Sequence, residues 1–338
     1  MSRDRDIQCP VIVVGRPRSG SSIFTRLINE SPDLFVVNDL YYLQYVDSLE
    51  GFSRQDSSTI EKLARYLFST LENRARPDER GIAGIECAQT LTTENKEKLK
   101  AFVEQCIRQS DRDWASLFSS IMQYYALITD KKAWGYNTPQ DYLHLPRLQQ
   151  AFPNAKFIFV MRNPTEVLRS YKYVEYRENF YDPACYHPIL QAIAWKSAMS
   201  CFLENQHKDN FLFVRYEDLI NDVNRTFSRV GDFLQTDFPA IDLNDYGNNS
   251  SFRNKKRKKL HISSTEVWLC EQIAKKEMQA AGYPLQNCQP SFSDLGDLLK
   301  TTRIASGYYL KNSLFSSDLR KRVINLAKFQ YNTIQSKN

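Results

Sequence analysis

The sequence predicts a helix-rich α/β fold with a central, mostly parallel sheet flanked by helices. Three observations predict it. Strand-like β-branched runs occur at 11–14, 156–161 and 211–215, each bounded by turn or charged residues. Long stretches of helical periodicity separate them, at 23–28, 60–71, 99–107, 114–128, 189–203, 225–234 and 266–280. The first run leads straight into a glycine-bounded turn and an amphipathic helix, the order in which a parallel sheet takes up a crossover. A chain of 338 residues fits one large domain or two modest ones. One domain is expected over 1–338, with a core at about 9–285, a helical insertion at about 41–132 and a C-terminal helical extension at about 290–338.

Composition narrows the function classes. Hydrophobic residues make up 42% and charged residues 25%, an ordinary globular balance. The net charge of +6 is too dilute over this length for nucleic acid and suits a local anion site. No apolar run nears the ~18 residues of a membrane helix, and the N-terminus shows no signal-peptide pattern, so a cytoplasmic protein without a membrane partner is expected. Seven scattered cysteines without a C-x-x-C pair, and four histidines without helical pairing, predict free thiols and no metal site. Only 11 glycines occur, under half of the usual ~7%, so each is worth locating.

The first element ends in Gly15-Arg-Pro-Arg-Ser-Gly-Ser-Ser22. Its G-x-x-x-x-G spacing equals that of a phosphate-binding P-loop, where backbone N–H groups and a helix N-terminus surround an anion, and makes the predicted sheet P-loop-like. The lysine that should follow is Ser21, while Arg16 and Arg18 lie inside the loop and can fork onto anionic oxygens. Next, Val36-Val-Asn-Asp-Leu40 presents Asp39 either as an ordinary acid ending a strand or as a base. The run at 156–161 is read as a strand ending at Arg162, with Asn163 as N-cap and Pro164 at the first helical position. Arg162 then points into the crevice where ligands of parallel sheets bind, and Ser170, about two turns on, can face it too. The run at 211–215 leads to Tyr216, which could stack on a base or pack in the core. The basic run RNKKRKK at 253–259 reads as a solvated loop for most of its charges.

The loop and the residues after it, IFTRLINESPDLFVVND, strongly resemble the phosphosulfate-binding segment of the sulfotransferases in its PRSGTT form, in the branch of tyrosylprotein and many bacterial enzymes. That resemblance implies 3′-phosphoadenosine 5′-phosphosulfate (PAPS) as donor, adenosine 3′,5′-bisphosphate (PAP) as product, and no required metal. It implies that Arg18 contacts the sulfo group, while Arg16, Pro17, Ser19, Gly20, Ser21 and Ser22 form the 5′-phosphate loop. Arg162 and Ser170 match the family's Arg and Ser, eight residues apart, that bind the 3′-phosphate. Tyr216 matches the tyrosine near the adenine, and Ser251 and Arg253 stand where a late basic loop closes on the 3′-phosphate. Asp39 occupies the position of the branch's catalytic Glu, one methylene shorter, with His144 as the reserve base.

One departure matters. In Trp134-Gly-Tyr-Asn-Thr-Pro139 the family's G-x-K-T-P lysine is Asn137, so Arg16, Lys131 or Lys132 takes over its charge, or the acceptor is itself cationic. The expected acceptor is a small molecule, a secondary metabolite among the options, bound among some of Tyr41, Tyr42, Tyr45, Tyr124, Tyr125, Tyr173, Tyr176, Phe180 and Tyr181, and a homodimer is one assembly the chain could adopt. Two rival functions remain: a P-loop kinase or NTPase, against which Ser21 argues, and a nucleotide-binding protein that lacks catalysis, which Asn137 leaves open.

Overall fold

A computed structural model of the chain describes residues 9–49, 57–74, 91–109, 113–172, 186–244 and 261–315. Five strands, β1 Val11–Gly15, β2 Leu34–Asn38, β3 Ala133–Asn137, β4 Lys156–Met161 and β5 Phe211–Arg215, form a parallel sheet in the order β2-β3-β1-β4-β5. β1 to β4 are almost wholly buried, as strands covered by helices on both faces must be. In β3, Gly135 lies opposite Val11 and Val36, and a Cβ there would meet the Val11 carbonyl oxygen at 2.4 Å. Only glycine lets the three strands close at that point.

β2 and β3 are not among the strand-like runs of the sequence, although one of the two readings of Asp39 ends a strand where β2 ends. β2 follows the first helix after a five-residue polar turn, and β3, AWGYN, has no β-branched residue to mark it. At the sheet edge, Asn29 takes the place of a further strand. Its Nδ2 donates to the Val36 carbonyl at 3.0 Å and its Oδ1 accepts from the Val36 N–H at 2.6 Å.

The described residues divide into two compact units. The first, Gly20–Val160 and Lys208–Arg253 with the start of β1, holds the sheet. It also holds α1 Ser21–Ile28, α2 Tyr42–Ser48, α3 Ser57–Arg74, α4 Thr93–Arg108, α5 Trp114–Ile128, a 3-10 turn Pro139–His144, α6 Leu145–Ala151, α9 Tyr216–Asn221 and α10 Val223–Leu234. α2 to α5 fall within the segment 41–132 that the sequence reading treats as an insertion, and Thr92 and Asp113 cap α4 and α5 through side-chain oxygens. The core of this unit runs from Val11 and Val13 through Phe24, Leu27, Val36 and Ile158 to Phe227 and Val230.

The second unit holds Gly15–Ser19, Met161–His207 and the chain from Asn254 onward. Its helices are α7 Pro164–Lys172, α8 Pro188–Asn205, α11 Ser264–Ala280 and α12 Leu295–Phe315, the last falling where a C-terminal helical extension was expected. α8 is buried on most sides, as an interior helix should be. At the start of α11, Ser263 and Glu266 form a capping box, and Glu266 also accepts from Lys172 Nζ at 2.8 Å and Tyr186 Oη at 2.9 Å. These bonds outweigh burial and hold the Glu266 carboxyl below its ordinary pKa. Among the described residues, no helix is long and apolar enough to cross a membrane.

Candidate functional site

In an open parallel sheet, ligands bind beyond the carboxyl ends of the strands, where the winding direction reverses. Here that reversal lies between β1 and β4 at the centre of the sheet. All five strands carry a candidate residue directly after their last positions or at them: the loop from Arg16, Asp39, Asn137, Arg162 and Tyr216.

In the second unit, the loop and the Arg162 segment meet. Arg18 Nε donates to Ser170 Oγ at 3.0 Å, joining motifs 152 residues apart. Arg18 has φ 74, a left-handed conformation that a non-glycine residue keeps only when its surroundings demand it. Arg16 is 8% exposed; its guanidinium donates to Gln191 and lies 4.9 Å over the Tyr171 ring. Its Nε and the fully buried Ser19 hydroxyl have no hydrogen-bond partner. A buried guanidinium N–H and a buried hydroxyl left unmatched fit an anionic ligand, since each would otherwise carry an unrepaid desolvation cost. Arg162, 5% exposed, pairs with Glu166 of its own helix at 3.3 Å, and Glu166 also binds Arg169. Trp195 Nε1 holds the Arg162 carbonyl at 2.8 Å, and Asn163 caps α7 as expected, accepting from the Thr165 N–H at 3.0 Å. Neither Gln191, Tyr171 nor Glu166 was found from the sequence. Gln191 and Tyr171 hold the loop's Arg16 from positions that no short motif encodes, and Glu166 pairs with Arg162 one helical turn on.

In the first unit, Gly20 with φ 89 precedes α1, whose first turn, Ser21 and Ser22, is capped by no side chain. The Tyr216 ring packs on Gly20 so closely that a Cβ there would stand 2.1 Å from its Cδ2. Asp39, φ 53, and Tyr41, φ 50, are both left-handed, and the Tyr41 hydroxyl donates to Asp39 Oδ1 at 3.3 Å. Asn137 Nδ2 donates to Asn38 Oδ1 at 2.5 Å. His144 faces Asp47 at 3.7 Å; burial, the larger effect, and nearby Arg147 lower its pKa against the pull of Asp47. Lys131 and Lys132, offered above as substitutes for the family's lysine, precede β3 at its opposite end. Lys131 Nζ binds the Ser31 and Pro32 carbonyls and Lys132 pairs with Asp33. Among the aromatic residues, Tyr42 stacks on Phe118, Tyr45 on Tyr66 and Tyr124 on Phe102, and Tyr125 packs tilted against Phe35, which leaves Tyr41 as the one beside Asp39. Tyr173, Tyr176, Phe180, Tyr181, Ser251 and Arg253 lie outside the described residues.

The sequence reading overlooked Asp141, a fully buried carboxyl in the 3-10 turn after β3. Burial dominates, and it raises the pKa from 3.8 to about 7 despite hydrogen bonds from Gln44 and Tyr136. The folded chain therefore keeps a proton that the unfolded chain loses above pH 4. Stability should fall as pH rises from about 4 to about 7, by up to about 1.4 kcal/mol per unit, and level off above. Urea unfolding across that range, with Asp141→Asn as the variant expected to flatten the slope, measures it.

Against known proteins, residues 10–240 match the family model described as "Sulfotransferase family". Human Sulfotransferase 2A1 is 29% identical over 133 residues, which cover 35% of this chain and 46% of that relative, and the Macaca fascicularis protein of the same name matches to the same extent. The match spans less than half the length of these curated relatives. Among solved structures, the chain is similar to the sulfotransferase domain of the Synechococcus PCC 7002 olefin synthase, with 19% identity, 91% of this chain and 98% of that one covered, and a TM-score of 0.47. It is also similar to a sulfotransferase from Alicyclobacillus acidocaldarius, at 14% identity, with 84% and 98% covered and a TM-score of 0.44.

Proposed function

Because the chain belongs to the sulfotransferase family, we propose that it moves a sulfo group from PAPS to a hydroxyl or amine of a small-molecule acceptor and releases PAP. The observation that carries this reading is the Arg18–Ser170 bond, which ties the loop after β1 to the segment after β4. Bound PAPS supplies an electrophilic sulfur and a phosphate leaving group. Toward it, Ser19, Ser21, Ser22 and the uncapped N–H groups of α1 would hold the 5′-phosphate, with Pro17 fixing the turn between the two loop arginines. Arg162 and Ser170 would hold the 3′-phosphate, and Tyr216, seated on Gly20, would lie beside the adenine.

Arg18 is suited to charge stabilisation. Its Nε is fixed on Ser170, and among the described residues its terminal nitrogens carry no ion pair, so both can face developing negative charge. With Lys131 and Lys132 tied at the far end of β3, the loop's second cation is Arg16, clamped by Gln191 and Tyr171. Asp39 would accept the proton of the acceptor at a carboxylate oxygen, oriented by the Tyr41 hydroxyl. His144, turned to Asp47 and Arg147, has a separate set of partners. A reducing cytoplasm suits the free thiols of Cys9, Cys106, Cys201, Cys270 and Cys288.

The test is transfer of labelled sulfo groups from PAPS to a metabolite extract. Wild type should give labelled product, and Asp39→Asn should lower the rate about 10²- to 10⁴-fold with PAP binding unchanged. Tight PAP binding without any labelled product would overturn the proposal.

A further inference from the structure

A seam of polar contacts joins the segment after β2 to the segment after β3. Asn137 bonds Asn38, and the Tyr41 N–H donates to Thr138 Oγ1 at 3.1 Å. Gln44 Nε2 donates to Asp141 Oδ1 at 2.7 Å, and Arg147 donates to Asp47 Oδ1 at 2.7 Å. Residues 38, 41, 44 and 47 therefore meet 137, 138, 141 and 147 in order, the first from β2, the second from the residue before α2 and the last two from α2 itself. From α3, Arg74 donates to the Asp39 carbonyl at 3.2 Å and the Tyr66 hydroxyl to the Leu40 carbonyl at 3.0 Å. Two consecutive carbonyls are thus pinned between two left-handed residues, Asp39 and Tyr41. Strained backbone survives where the surroundings over-determine it, and this corner is held from β3, the 3-10 turn and α3 at once.

We propose that Asp141 is a positioning residue for Asp39, acting through Gln44 and α2. The proposal rests on the reading of Asp39 as the base. Asp141 is fully buried, so its action is through the helix it holds. The groups facing it are Gln44 and Asp47 of α2, Tyr136 of β3, Tyr66 of α3 and Arg147 of α6. The single cation among them, Arg147, is bonded to Asp47, and His144 faces that same pair. Among these groups no cation bonds Asp141 directly, and burial holds its carboxyl toward the neutral form. Burial favours the neutral carboxyl and the Gln44 amide favours the ionised one, so ionisation costs the fold as a whole while the Gln44 rung itself persists in both forms.

Two readouts test this. At pH 5, hydrogen exchange of the α2 amides, corrected for intrinsic rates, should show protection lower by at least about tenfold in Asp141→Leu than in wild type, with a smaller loss at the α1 amides. Asp141→Asn, which keeps an acceptor for Gln44, should hold α2 protection within about threefold of wild type. In sulfo transfer, Asp141→Leu should lower kcat about tenfold or more with the KM for PAPS and the PAP affinity unchanged. Asp141→Asn, which keeps an acceptor oxygen for Gln44, should restore kcat at pH 7. Should Asp141→Leu not fold, Gln44→Met removes the same rung from the other side and should give the same split. α2 protection that falls no further than α1 protection in Asp141→Leu or, in its place, Gln44→Met, overturns the proposal. So does an undiminished kcat in Asp141→Leu or, in its place, Gln44→Met. If wild type transfers no sulfo group, the functional reading fails, and the exchange data alone still decide whether Asp141 anchors α2.

Discussion

Arg18→Ala is expected to lower kcat/KM for sulfo transfer by about 10²- to 10³-fold, the usual cost of deleting one preorganised charge-stabilising donor. Three features of Arg18 set this size. Its Nε is occupied by Ser170, which fixes the plane of the guanidinium, and its terminal nitrogens are left for a ligand. It stands in left-handed backbone, which alanine occupies at similar cost, so the substitution tests the side chain and leaves the loop strain in place. Arg16 remains nearby in the chain and keeps its own clamp on Gln191 and Tyr171, so donor binding should weaken much less than turnover. Arg18→Lys should recover part of the loss, because an ammonium supplies charge but cannot bond Ser170 and fork onto two oxygens together. Initial rates with labelled PAPS, beside calorimetric PAP affinity, give both quantities. A kcat/KM within threefold of wild type would remove Arg18 from the mechanism.

What the sequence disclosed follows the range of the interactions involved. The loop at 15–22 and the run from Arg162 to Ser170 are local devices, a strand, a turn and a helix start, whose residue types are dictated within a few positions of each other. Both were legible, and the structure joins them through Arg18 and Ser170. Helices α3, α4 and α5 were legible for the same reason, since amphipathic periodicity repeats over several turns. β2 and β3 were not, because a five-residue buried strand leaves little pattern and Gly135 serves its neighbours Val11 and Val36 rather than its own strand. Asp141 was invisible on principle. Its character comes from Gln44, 97 residues earlier, and from burial, neither of which shows in the local sequence PQDYLH. The aromatic crowd misled in the opposite direction. Of the described tyrosines among its members, Tyr42, Tyr45, Tyr124 and Tyr125 each pack on another ring, and composition alone could not separate those from Tyr41.

Gly20→Ala is expected to cost PAP affinity at least about tenfold and stability about 1–3 kcal/mol, from two separable causes. The first is the backbone. At φ 89 an L side chain is strained whatever space surrounds it. The second is contact, for the new methyl would stand 2.1 Å from Cδ2 and 2.6 Å from Cε2 of Tyr216, well inside van der Waals separation. The ring must swing away, and with it goes the face proposed for the adenine. A double-mutant cycle separates the two. Tyr216→Ala alone should weaken PAP binding by the loss of stacking, and it also removes the obstacle, so the double variant should lose less affinity and stability than the two single losses combined. The remainder is the strain of alanine at this φ, which no change at Tyr216 can relieve. Strictly additive losses would mean that Tyr216 and Gly20 do not meet as the structure has them, and an unaltered PAP affinity in Gly20→Ala would remove the loop's turn from the nucleotide site.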